Sequence, residues 1–240
     1  MKKPFKFKQF TVNQDRCAMK IGTDGVLLGS WASVEHNPFS ILDIGSGTGI
    51  LSLMLAQRSQ AQTIEAIEID DDAFEQCAEN FENSPWADRL FCFHASLLEY
   101  VEAVDDKFDL IICNPPFYFE DYKTNNKSRD LARFNDAMPF KHLIYAVANL
   151  LSDNGVFSIV IPFKKETFFI ELASIIGLKL NRSLHVKGNP GVEIKRSLLE
   201  FSFNETKIPI AIGTELIIEI DRHQYTEDYI HLTKDFYLKM

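Results

Sequence analysis

Short apolar runs alternate with segments of helical periodicity between residues 41 and 176, and this alternation constrains the fold more than any other feature. The apolar runs predict strands at 41–44, 64–69, 90–93, 108–113 and 156–161. A 3.6-residue period predicts helices at 50–59, 73–83, 139–151 and 166–176. Strands that are apolar throughout and alternate with helices form parallel sheets covered on both faces. The sequence therefore predicts an α/β fold built on a doubly wound, mostly parallel sheet.

The two ends of the chain depart from this alternation. The segments LKLNRSLHV, RSLLEFSF and TELIIEI predict antiparallel strands, and a helix at about 227–238 follows them. At the beginning, a basic tail precedes a turn at 22–25 and a short apolar helix. The tripeptide at 153–155, Asp-Asn-Gly, predicts the end of a helix before the next strand. We therefore expect an antiparallel edge on the sheet and an N-terminal extension.

The composition argues against several classes of protein. The 240 residues are 46% hydrophobic and 25% charged, which is typical of a globular protein. A chain of this length has a core large enough to be stable without disulfide bonds or a structural metal. The four cysteines form no Cys-x-x-Cys pair, which argues against a disulfide framework and against a zinc site. No apolar run is long enough to act as a secretion signal or to span a bilayer. A cytoplasmic protein without a metal or a membrane partner is therefore expected.

A glycine-rich loop, LDIGSGTGI, follows the first predicted strand. Gly45, Gly47 and Gly49 let the backbone turn sharply and approach a ligand closely beside the start of a helix. Such loops serve nicotinamide, flavin and S-adenosylmethionine (SAM) sites, but this spacing lacks the G-x-G-x-x-G register of the dinucleotide fingerprint. Asp43 is awkward beside a pyrophosphate, whereas it suits the α-amino cation of SAM. The loop therefore favours SAM.

An acidic residue in the second predicted strand supports the same cofactor. Glu68 lies about twenty residues after the loop, where a carboxylate accepts hydrogen bonds from both hydroxyls of a ribose. The next residue, Ile69, would pack against the adenine. The aspartates that follow fit the first turn of a helix, but Glu68 lies within the strand. We therefore predict that Glu68 and Ile69 bind the adenosine part of the cofactor.

The segment FDLIICNPPFYF ends the fourth strand with a stiff, extended turn. The strand stops at Asn114 because Pro115 and Pro116 cannot continue a central strand. An aromatic amine is a poor nucleophile, because its lone pair is delocalised into the ring. The Asn114 side-chain oxygen and the Pro115 carbonyl are placed to accept from its two N–H groups, and Phe117 to stack on the base. The turn therefore predicts a catalytic site for methyl transfer to a planar amine.

These motifs carry a family resemblance. DIGSGTG and NPPF resemble the two signatures of the class I SAM-dependent methyltransferases that act on amino groups. FKQFTVNQDRCAMKIGTDGVLLGSWA, SPWADRL and the terminal YTEDYIHLTKDFYLKM extend the likeness over nearly the full chain. The chain thus resembles the bacterial family that methylates N6 of adenine 37 in the valine tRNA called tRNA1(Val). The resemblance implies a Rossmann-like seven-stranded sheet, with a basic tail and a cofactor-capping helix at 1–35 and the methyltransferase domain at 36–240.

The resemblance also implies roles for individual residues. The implied SAM-binding residues are Lys20, Thr23, Asp24, Asp43, Gly45, Gly47, Gly49, Glu68, Ile69, Ser96 and Asn114. Related enzymes commonly carry an aspartate after the third strand that accepts from the adenine amine, whereas FHASLLEY places Ser96 there. A serine oxygen accepts a hydrogen bond more weakly than a carboxylate does. We therefore expect a weaker contact at Ser96.

A tRNA substrate must be bound by local basic clusters, because the net charge of the chain is −9. One such cluster lies in the N-terminal tail, and another follows the Pro-Pro turn. The candidate RNA-binding residues are Lys6, Lys8, Lys123, Lys127, Arg129 and Arg133. We expect these side chains to contact phosphates near a flipped adenine.

Other functions are compatible with parts of this pattern. The same acceptor turn serves methylation of guanine N2 in rRNA, of adenine or cytosine in DNA, or of a glutamine amide in protein. A nicotinamide-dependent oxidoreductase would use the same sheet, but it has no use for Asn-Pro-Pro-Phe. A non-catalytic RNA-binding module would bind RNA without SAM. The sequence leaves the oligomeric state open, and a monomer is compatible with it.

Overall fold

A sheet of eight strands runs through the centre of the computed structural model, which describes residues 3–116, 140–204 and 210–240. In chain order the strands are β1 (Phe5–Lys6), β2 (Thr11–Val12), β3 (Ser40–Ile44), β4 (Thr63–Glu68), β5 (Leu90–His94), β6 (Phe108–Cys113), β7 (Leu151–Pro162), β8 (Lys179–Lys187), β9 (Arg196–Ser202), β10 (Ala211–Ile217), β11 (Glu219–Asp221) and β12 (Gln224–Tyr225). The helices are α1 (Thr23–Trp31), α2 (Ile50–Arg58), α3 (Asp71–Glu82), α4 (Leu97–Ala103), α5 (Phe140–Leu150), α6 (Glu166–Ile175) and α7 (Glu227–Thr233). Two small hairpins, β1 with β2 and β11 with β12, lie outside the central sheet.

The central sheet has the strand order β10-β8-β9-β7-β6-β3-β4-β5. The five strands from β7 to β5 in this order are parallel, whereas β9 is antiparallel to both of its neighbours. The chain therefore winds outward in both directions from β3 and β6. The doubly wound, mostly parallel α/β fold predicted from the sequence is confirmed.

At the C-terminal edge of the sheet, the predicted antiparallel pairing is confirmed for β8 and β9, but the last strand differs from the prediction. The segment TELIIEI is predicted to be antiparallel, but β10 pairs with β8 in parallel, with Ile217 opposite Lys187. β9 ends at Ser202 opposite Lys179, at the edge of the sheet where β8 begins. The chain re-enters the sheet from that same edge at Ala211, so β10 runs in the direction of β8. β10 also adds an eighth strand to the seven that the family resemblance implies.

The predicted helix end at 153–155 is wrong. α5 ends at Leu150, and β7 begins directly at Leu151, so these three residues lie within the span of β7. The pairing of β6 with β7 shifts register here, between Phe108 and Leu110. A Cβ atom on Gly155 would lie 2.8 Å from the carbonyl oxygen of Phe108. The glycine therefore permits a close approach of two strands and does not terminate a helix.

Most of the other element bounds agree with the prediction to within two residues, but several differ. β7 begins at Leu151 and not at 156, and the predicted strand TELIIEI, residues 214–220, spans the end of β10 and the beginning of β11. α1 begins at Thr23, so Gly25 lies inside a helix and not in the predicted turn. α7 ends at Thr233, five residues before the predicted end at 238. α4 is not predicted from the sequence, and it begins with a capping box formed by Ser96 and Glu99.

Apolar side chains pack against both faces of the central sheet. On one face, α1 and α2 pack together with the N-terminal segment and α7. This cluster includes Phe7, Val26, Leu53, Met54 and Phe236. On the other face, α5 and α6 pack in a cluster that includes Leu143, Val147, Phe157, Phe169 and Phe201. None of the described helices is long and apolar enough to cross a membrane. The N-terminal segment and α1 are thus part of the core that supports the carboxyl ends of the strands.

Candidate active site

The predicted cofactor and catalytic motifs meet at the carboxyl edge of the sheet. β3 leads into the glycine loop, β4 ends at Glu68, and β6 leads into Asn114. These strands are parallel neighbours, with β3 between β4 and β6. Their ends therefore lie side by side, at the edge where open α/β sheets bind ligands.

The glycine loop is sharply bent, with one open side and one packed side. Gly45, Gly47 and Gly49 have φ angles of 72°, 53° and 76°, in the left-handed region that favours glycine. A Cβ atom on Gly49 would lie 2.5 Å from the Phe81 ring and 2.8 Å from Cys77 Sγ, so α3 packs closely against it. A Cβ atom on Gly47 would meet nothing within 4 Å. The loop therefore rests on α3 at Gly49 and presents open space at Gly47.

The Glu68 carboxylate is bound to the backbone around the glycine loop. Oε2 accepts from the Gly47 N–H at 2.8 Å, and Oε1 accepts from the N–H groups of Ile69 and Asp70 at 2.9 and 3.0 Å. A carboxylate has about four acceptor positions, so three are in use and one is open. A ribose held through both hydroxyls therefore needs one of these three N–H groups to leave the carboxylate. The adjacent Ile69 side chain is 60% exposed, although it is apolar.

The Asp43 side chain is buried beneath the loop and is only half satisfied. Its Oδ2 accepts from the Ser52 hydroxyl at 2.7 Å and from the Ser52 N–H at 3.2 Å. Its Oδ1 is buried and has no hydrogen-bond partner among the described residues. Burial raises the pKa of the Asp43 carboxyl to about 7, against the lowering effect of the two Ser52 hydrogen bonds. An approaching cation would favour the ionised form.

The Asn114 side chain lies against Gly25 in the first turn of α1. A Cβ atom on Gly25 would lie 3.7 Å from Asn114 Nδ2 and 3.6 Å from Ile50 Cγ2. Asn114 Oδ1 is buried and makes no hydrogen bond to any residue in the described ranges. Pro115 is buried and Pro116 is half-buried, so the turn is held by packing as well as by its two rings. Asn114 therefore offers a positioned, unused acceptor beside the glycine loop.

The first turn of α1 covers this edge of the sheet next to Asn114. Asp24 Oδ2 accepts from Arg196 Nε at 2.8 Å. Arg196 begins β9, opposite Pro162 at the end of β7, so this ion pair also lies at the carboxyl edge. Lys20 and Thr23 are exposed on the approach to the helix. The ion pair thereby anchors the first turn of α1 to β9.

Comparisons with known proteins identify the family. The family model described as Methyltransferase small domain matches residues 26–177. A Flavobacterium johnsoniae protein named tRNA1(Val) (adenine(37)-N6)-methyltransferase is 63% identical over 236 residues, covering 98% of this chain and 100% of that protein. The chain belongs to the tRNA1(Val) (adenine(37)-N6)-methyltransferase family. A Bacteroides fragilis member of the family is 45% identical over 98% of both chains. Membership of a methyltransferase family implies SAM as the methyl donor.

Solved structures of other methyltransferases share the fold of this family member. A predicted O-methyltransferase of Agrobacterium tumefaciens has a TM-score of 0.67 at 19% identity, covering 89% of this chain and 96% of that one. A Pyrococcus horikoshii protein described as a putative RNA methyltransferase has a TM-score of 0.55 at 17% identity, over 82% of this chain and 92% of that one. At such identities the likeness concerns the fold alone.

Most of the residues predicted to bind the cofactor of this family converge at the carboxyl edge. The converging residues are Thr23, Asp24, Asp43, Gly45, Gly47, Gly49, Glu68, Ile69, Ser96 and Asn114. Ser96 follows β5 at this edge, and its hydroxyl accepts from the Glu99 N–H at 3.3 Å as the N-cap of α4. A second acceptor position on that hydroxyl is open to an adenine amine. The binding roles of all these residues stay predictions.

Of the six predicted RNA-binding residues, the structure describes only Lys6 and Lys8. Lys6 is exposed in β1. Lys8 Nζ donates to the carbonyl oxygens of Lys234 and Met240, the latter at 2.8 Å, so it binds the end of α7. The candidates Phe117, Lys123, Lys127, Arg129 and Arg133 lie outside the described residues. Within the described ranges, no group of three His, Cys, Asp or Glu side chains could hold a metal ion.

Three residues that support the site were not predicted from the sequence. Ser52 holds Asp43, Gly25 lies against Asn114, and Arg196 pairs with Asp24. Ser52 lies nine residues after Asp43, on the helix that the glycine loop begins, and could have been found from that spacing. Arg196 is 172 residues from Asp24, and no local pattern in the sequence links them.

Proposed function

We propose that this chain transfers a methyl group from SAM to the N6 amine of adenine 37 in tRNA1(Val). One observation carries the proposal: a buried acceptor without a partner among the described residues, Asn114 Oδ1, lies beside an open glycine loop. The relatives from Flavobacterium johnsoniae and Bacteroides fragilis, both named for this reaction, support the choice of substrate. The nucleotide and the tRNA come from those names, and the type of acceptor group comes from the site.

The residues at the carboxyl edge fit SAM. When bound, SAM supplies an electrophilic methyl group on a sulfonium centre. The unpaired Asp43 Oδ1 suits an ammonium group, and the space at Gly47 admits a ligand against the backbone. Glu68 has one acceptor position open for a ribose hydroxyl, and the exposed Ile69 side chain offers an apolar surface to an adenine. Thr23 and Asp24 lie in the first turn of α1, which we propose as the cap of the site, and Lys20 precedes that helix by three residues.

The role of the Asn-Pro-Pro-Phe turn is to position the substrate amine. Asn114 Oδ1 and the Pro115 carbonyl accept from the two N–H groups, which draws the nitrogen toward tetrahedral geometry and frees its lone pair. The acceptors require little reorganisation, because Pro115 is buried and Asn114 packs against Gly25. Phe117 is proposed to stack on the flipped adenine. The nitrogen is thereby oriented for attack before the methyl group moves.

A tRNA substrate is a polyanion, and the proposal therefore requires an acidic protein to bind a molecule of the same sign of charge. With a net charge of −9, the chain must bind phosphates through local positive charge. We propose that Lys6 in β1 and the basic segment with Lys123, Lys127, Arg129 and Arg133 provide it. Lys8 contributes through the same N-terminal segment, which its contacts with the end of α7 hold in place.

The test is methylation of defined transcripts by the purified chain. We would incubate it with SAM and unmodified tRNA1(Val), then digest the tRNA and measure modified nucleosides by mass spectrometry. N6-methyladenosine should form with the natural transcript and not with a transcript carrying guanine at position 37. The same transcript with NADH in place of SAM should give no product. Methylation of another base or of protein, or no methylation, would contradict the proposal.

A further inference from the structure

A groove lies between the β1–β2 hairpin, the first turn of α1, the β11–β12 hairpin and the C-terminal residues. Its volume is about 620 Å³, which is within the range of small-ligand sites. We call it the tyrosine groove, after Tyr225, Tyr229 and Tyr237 in its wall. None of the residues predicted to bind the cofactor lines it except Thr23.

The tyrosine groove opens at the same edge of the sheet as Asn114. β10 runs parallel to β8, which has the direction of β7 and β6 because β9 reverses between them. Ile218, directly after β10, therefore lies at the carboxyl edge, four strand spacings or roughly 19 Å from the end of β6. The first turn of α1 joins the two places, since Thr23 lines the groove and Gly25 lies beside Asn114. A chain that reaches the active site can thus extend into the groove.

The walls of the groove combine aromatic rings with unpaired cations. Tyr225 is 37% exposed, and its ring centroid lies 5.2 Å from that of Tyr229. Lys6 and Lys239 are both exposed, and neither pairs with a carboxylate in the described part of the chain. Glu219 adds one negative charge to the wall. Aromatic faces next to cations are the composition that binds single-stranded nucleic acid.

Backbone hydrogen bonds hold the groove in shape. The Ile218 N–H donates to the Lys187 carbonyl and the Glu219 N–H to the Gly188 carbonyl, each at 3.0 Å. The Thr226 N–H donates to the Ile218 carbonyl, also at 3.0 Å, which closes the β11–β12 hairpin. The wall that carries Tyr225 is therefore joined to the end of β8, and a ligand meets a largely preformed surface.

We propose that the tyrosine groove binds a nucleotide adjacent to the methylated adenine, an inference that rests on the proposed function. An enzyme that flips its target base leaves the neighbouring nucleotides unstacked. The base of one such neighbouring nucleotide stacks on the exposed face of Tyr225, and the phosphate of that nucleotide lies near Lys6 and Lys239. Glu219 opposes this binding, because its charge repels the phosphate. The groove thus contributes affinity for the RNA and none for SAM.

The experiment compares charge and ring variants of the groove in tRNA binding, measured by fluorescence titration at several salt concentrations. The test variants are Lys6→Glu, Lys239→Glu, Tyr225→Ala and Glu219→Gln, with Lys179→Glu and Tyr225→Phe as controls. Lys179 begins β8 at the opposite edge of the sheet and is exposed, so its reversal changes net charge equally. Calorimetric SAM binding and methylation of tRNA1(Val) are measured on the same preparations.

Each lysine reversal should weaken tRNA binding by about fivefold or more and flatten the log–log salt slope by about 0.7. Tyr225→Ala should weaken it by roughly five- to tenfold, Glu219→Gln should strengthen it, and both controls should match the parent. SAM affinity should not change in any variant. Parent-like tRNA affinity in Lys6→Glu, Lys239→Glu and Tyr225→Ala would overturn the proposal, as would weaker SAM binding with normal tRNA binding. A parent enzyme that forms no N6-methyladenosine would instead refute the proposed function, and the titration would still decide whether the groove binds RNA.

Discussion

At the scale of single residues, two of the buried side-chain oxygen atoms that lack partners in the described part of the chain lie at the candidate active site. These are Asp43 Oδ1 and Asn114 Oδ1, which lie near each other in the fold at the ends of β3 and β6. Leaving a buried polar atom unpaired costs about 1–3 kcal/mol. A ligand that supplies a cation to Asp43 and an N–H group to Asn114 would recover this cost. Both atoms therefore connect the packing of the site to its proposed chemistry.

Asp43 should make the stability of the ligand-free protein depend on pH. Burial raises its pKa to about 7, so the folded chain retains a proton that the unfolded chain releases above about pH 4. The folded state binds more protons in this window, so the contribution of Asp43 to stability falls between about pH 4 and 7 and is constant above. Asp43→Asn should remove this fall, which amounts to a few kcal/mol at about 1.4 kcal/mol per pKa unit. Urea unfolding across this range measures it.

Asp235→Asn, which neutralises an exposed aspartate, gives a matched control variant for that experiment. SAM affinity provides a second measurement. Because a bound ammonium favours the ionised carboxyl, affinity should rise with pH up to about 7 in the parent and stay flat in Asp43→Asn. Parallel pH profiles of parent and Asp43→Asn in both measurements would show that Asp43 does not titrate in this range.

Glu68→Gln should weaken SAM binding by roughly 1.5–3 kcal/mol, the range of charge-assisted hydrogen bonds. The carboxylate also accepts three backbone N–H groups, so part of the loss comes from a disturbed loop. Calorimetry should therefore be paired with thermal unfolding in the absence of SAM. Glu75→Gln, an exposed carboxylate on α3, is the matched control. Parent-like affinity in Glu68→Gln would mean that the ribose is held elsewhere.

At the scale of elements, one glycine of the loop packs against the protein and another faces the space proposed for the ligand. Gly49 packs against α3, whereas Gly47, two residues earlier, faces open space. The sequence predicts that both glycines are needed, but not which one packs and which one binds. That distinction depends on Phe81 and Cys77, whose distance from the loop is set by the docking of α3 on the sheet. The local sequence pattern therefore predicts the loop, whereas tertiary packing decides which glycine contacts α3 and which faces the ligand space.

Alanine at the two glycines should have different consequences. Gly49→Ala would place a methyl group 2.5 Å from the Phe81 ring, and we expect a loss of stability of about 3 kcal/mol or more. Gly47→Ala meets no neighbour within 4 Å, so its cost is the left-handed backbone alone, about 1–2 kcal/mol. The new methyl group would nevertheless occupy the ligand space and weaken SAM binding. Chemical unfolding and SAM titration of both variants measure these effects. Equal losses of stability and of SAM affinity in the two variants would contradict the prediction.

Tertiary packing also explains where the element predictions are wrong. The Asp-Asn-Gly tripeptide has the composition of a helix end, but Gly155 is required by the close approach of Phe108. Similarly, the apolar β10 has the pattern of an antiparallel hairpin strand, and its direction follows from where β9 leaves the sheet. Neither cause is local. The buried strands of the parallel half were predicted well because their continuous apolar runs directly report burial on both faces.

At the scale of the whole molecule, charge and topology together decide where a tRNA can lie. The chain has a net charge of −9 and a pI of about 5.2, so most of its surface repels RNA. The glycine loop, the Asn-Pro-Pro turn and the tyrosine groove all lie at the carboxyl edge of the sheet. The sequence predicted the first two from their motifs. The groove was not predicted, because it joins β1, α1, β12 and α7 from both ends of the chain.

The basic segment after the Pro-Pro turn should carry a large part of the electrostatic affinity for tRNA. Changing Lys123, Lys127, Arg129 and Arg133 together to neutral residues should weaken binding and reduce the log–log salt slope by about two to three. SAM affinity should remain within error of the parent. A fluorescence titration of tRNA1(Val) at several salt concentrations measures both quantities. If affinity and slope stay at parent values, the RNA binds through another face.

The central claim is that Asn114 acts on the substrate amine, and single-turnover methyl transfer by Asn114→Ala tests it most directly. The rate of N6-methyladenosine formation should fall by about a hundredfold or more, the range for loss of one positioned hydrogen-bonding group in a transition state. SAM affinity measured by calorimetry should stay within a few-fold of the parent. Asn83→Ala, at the exposed end of α3, should behave as the parent in both. A parent-like rate in Asn114→Ala would contradict the claim, and so would a rate loss explained entirely by weaker SAM binding.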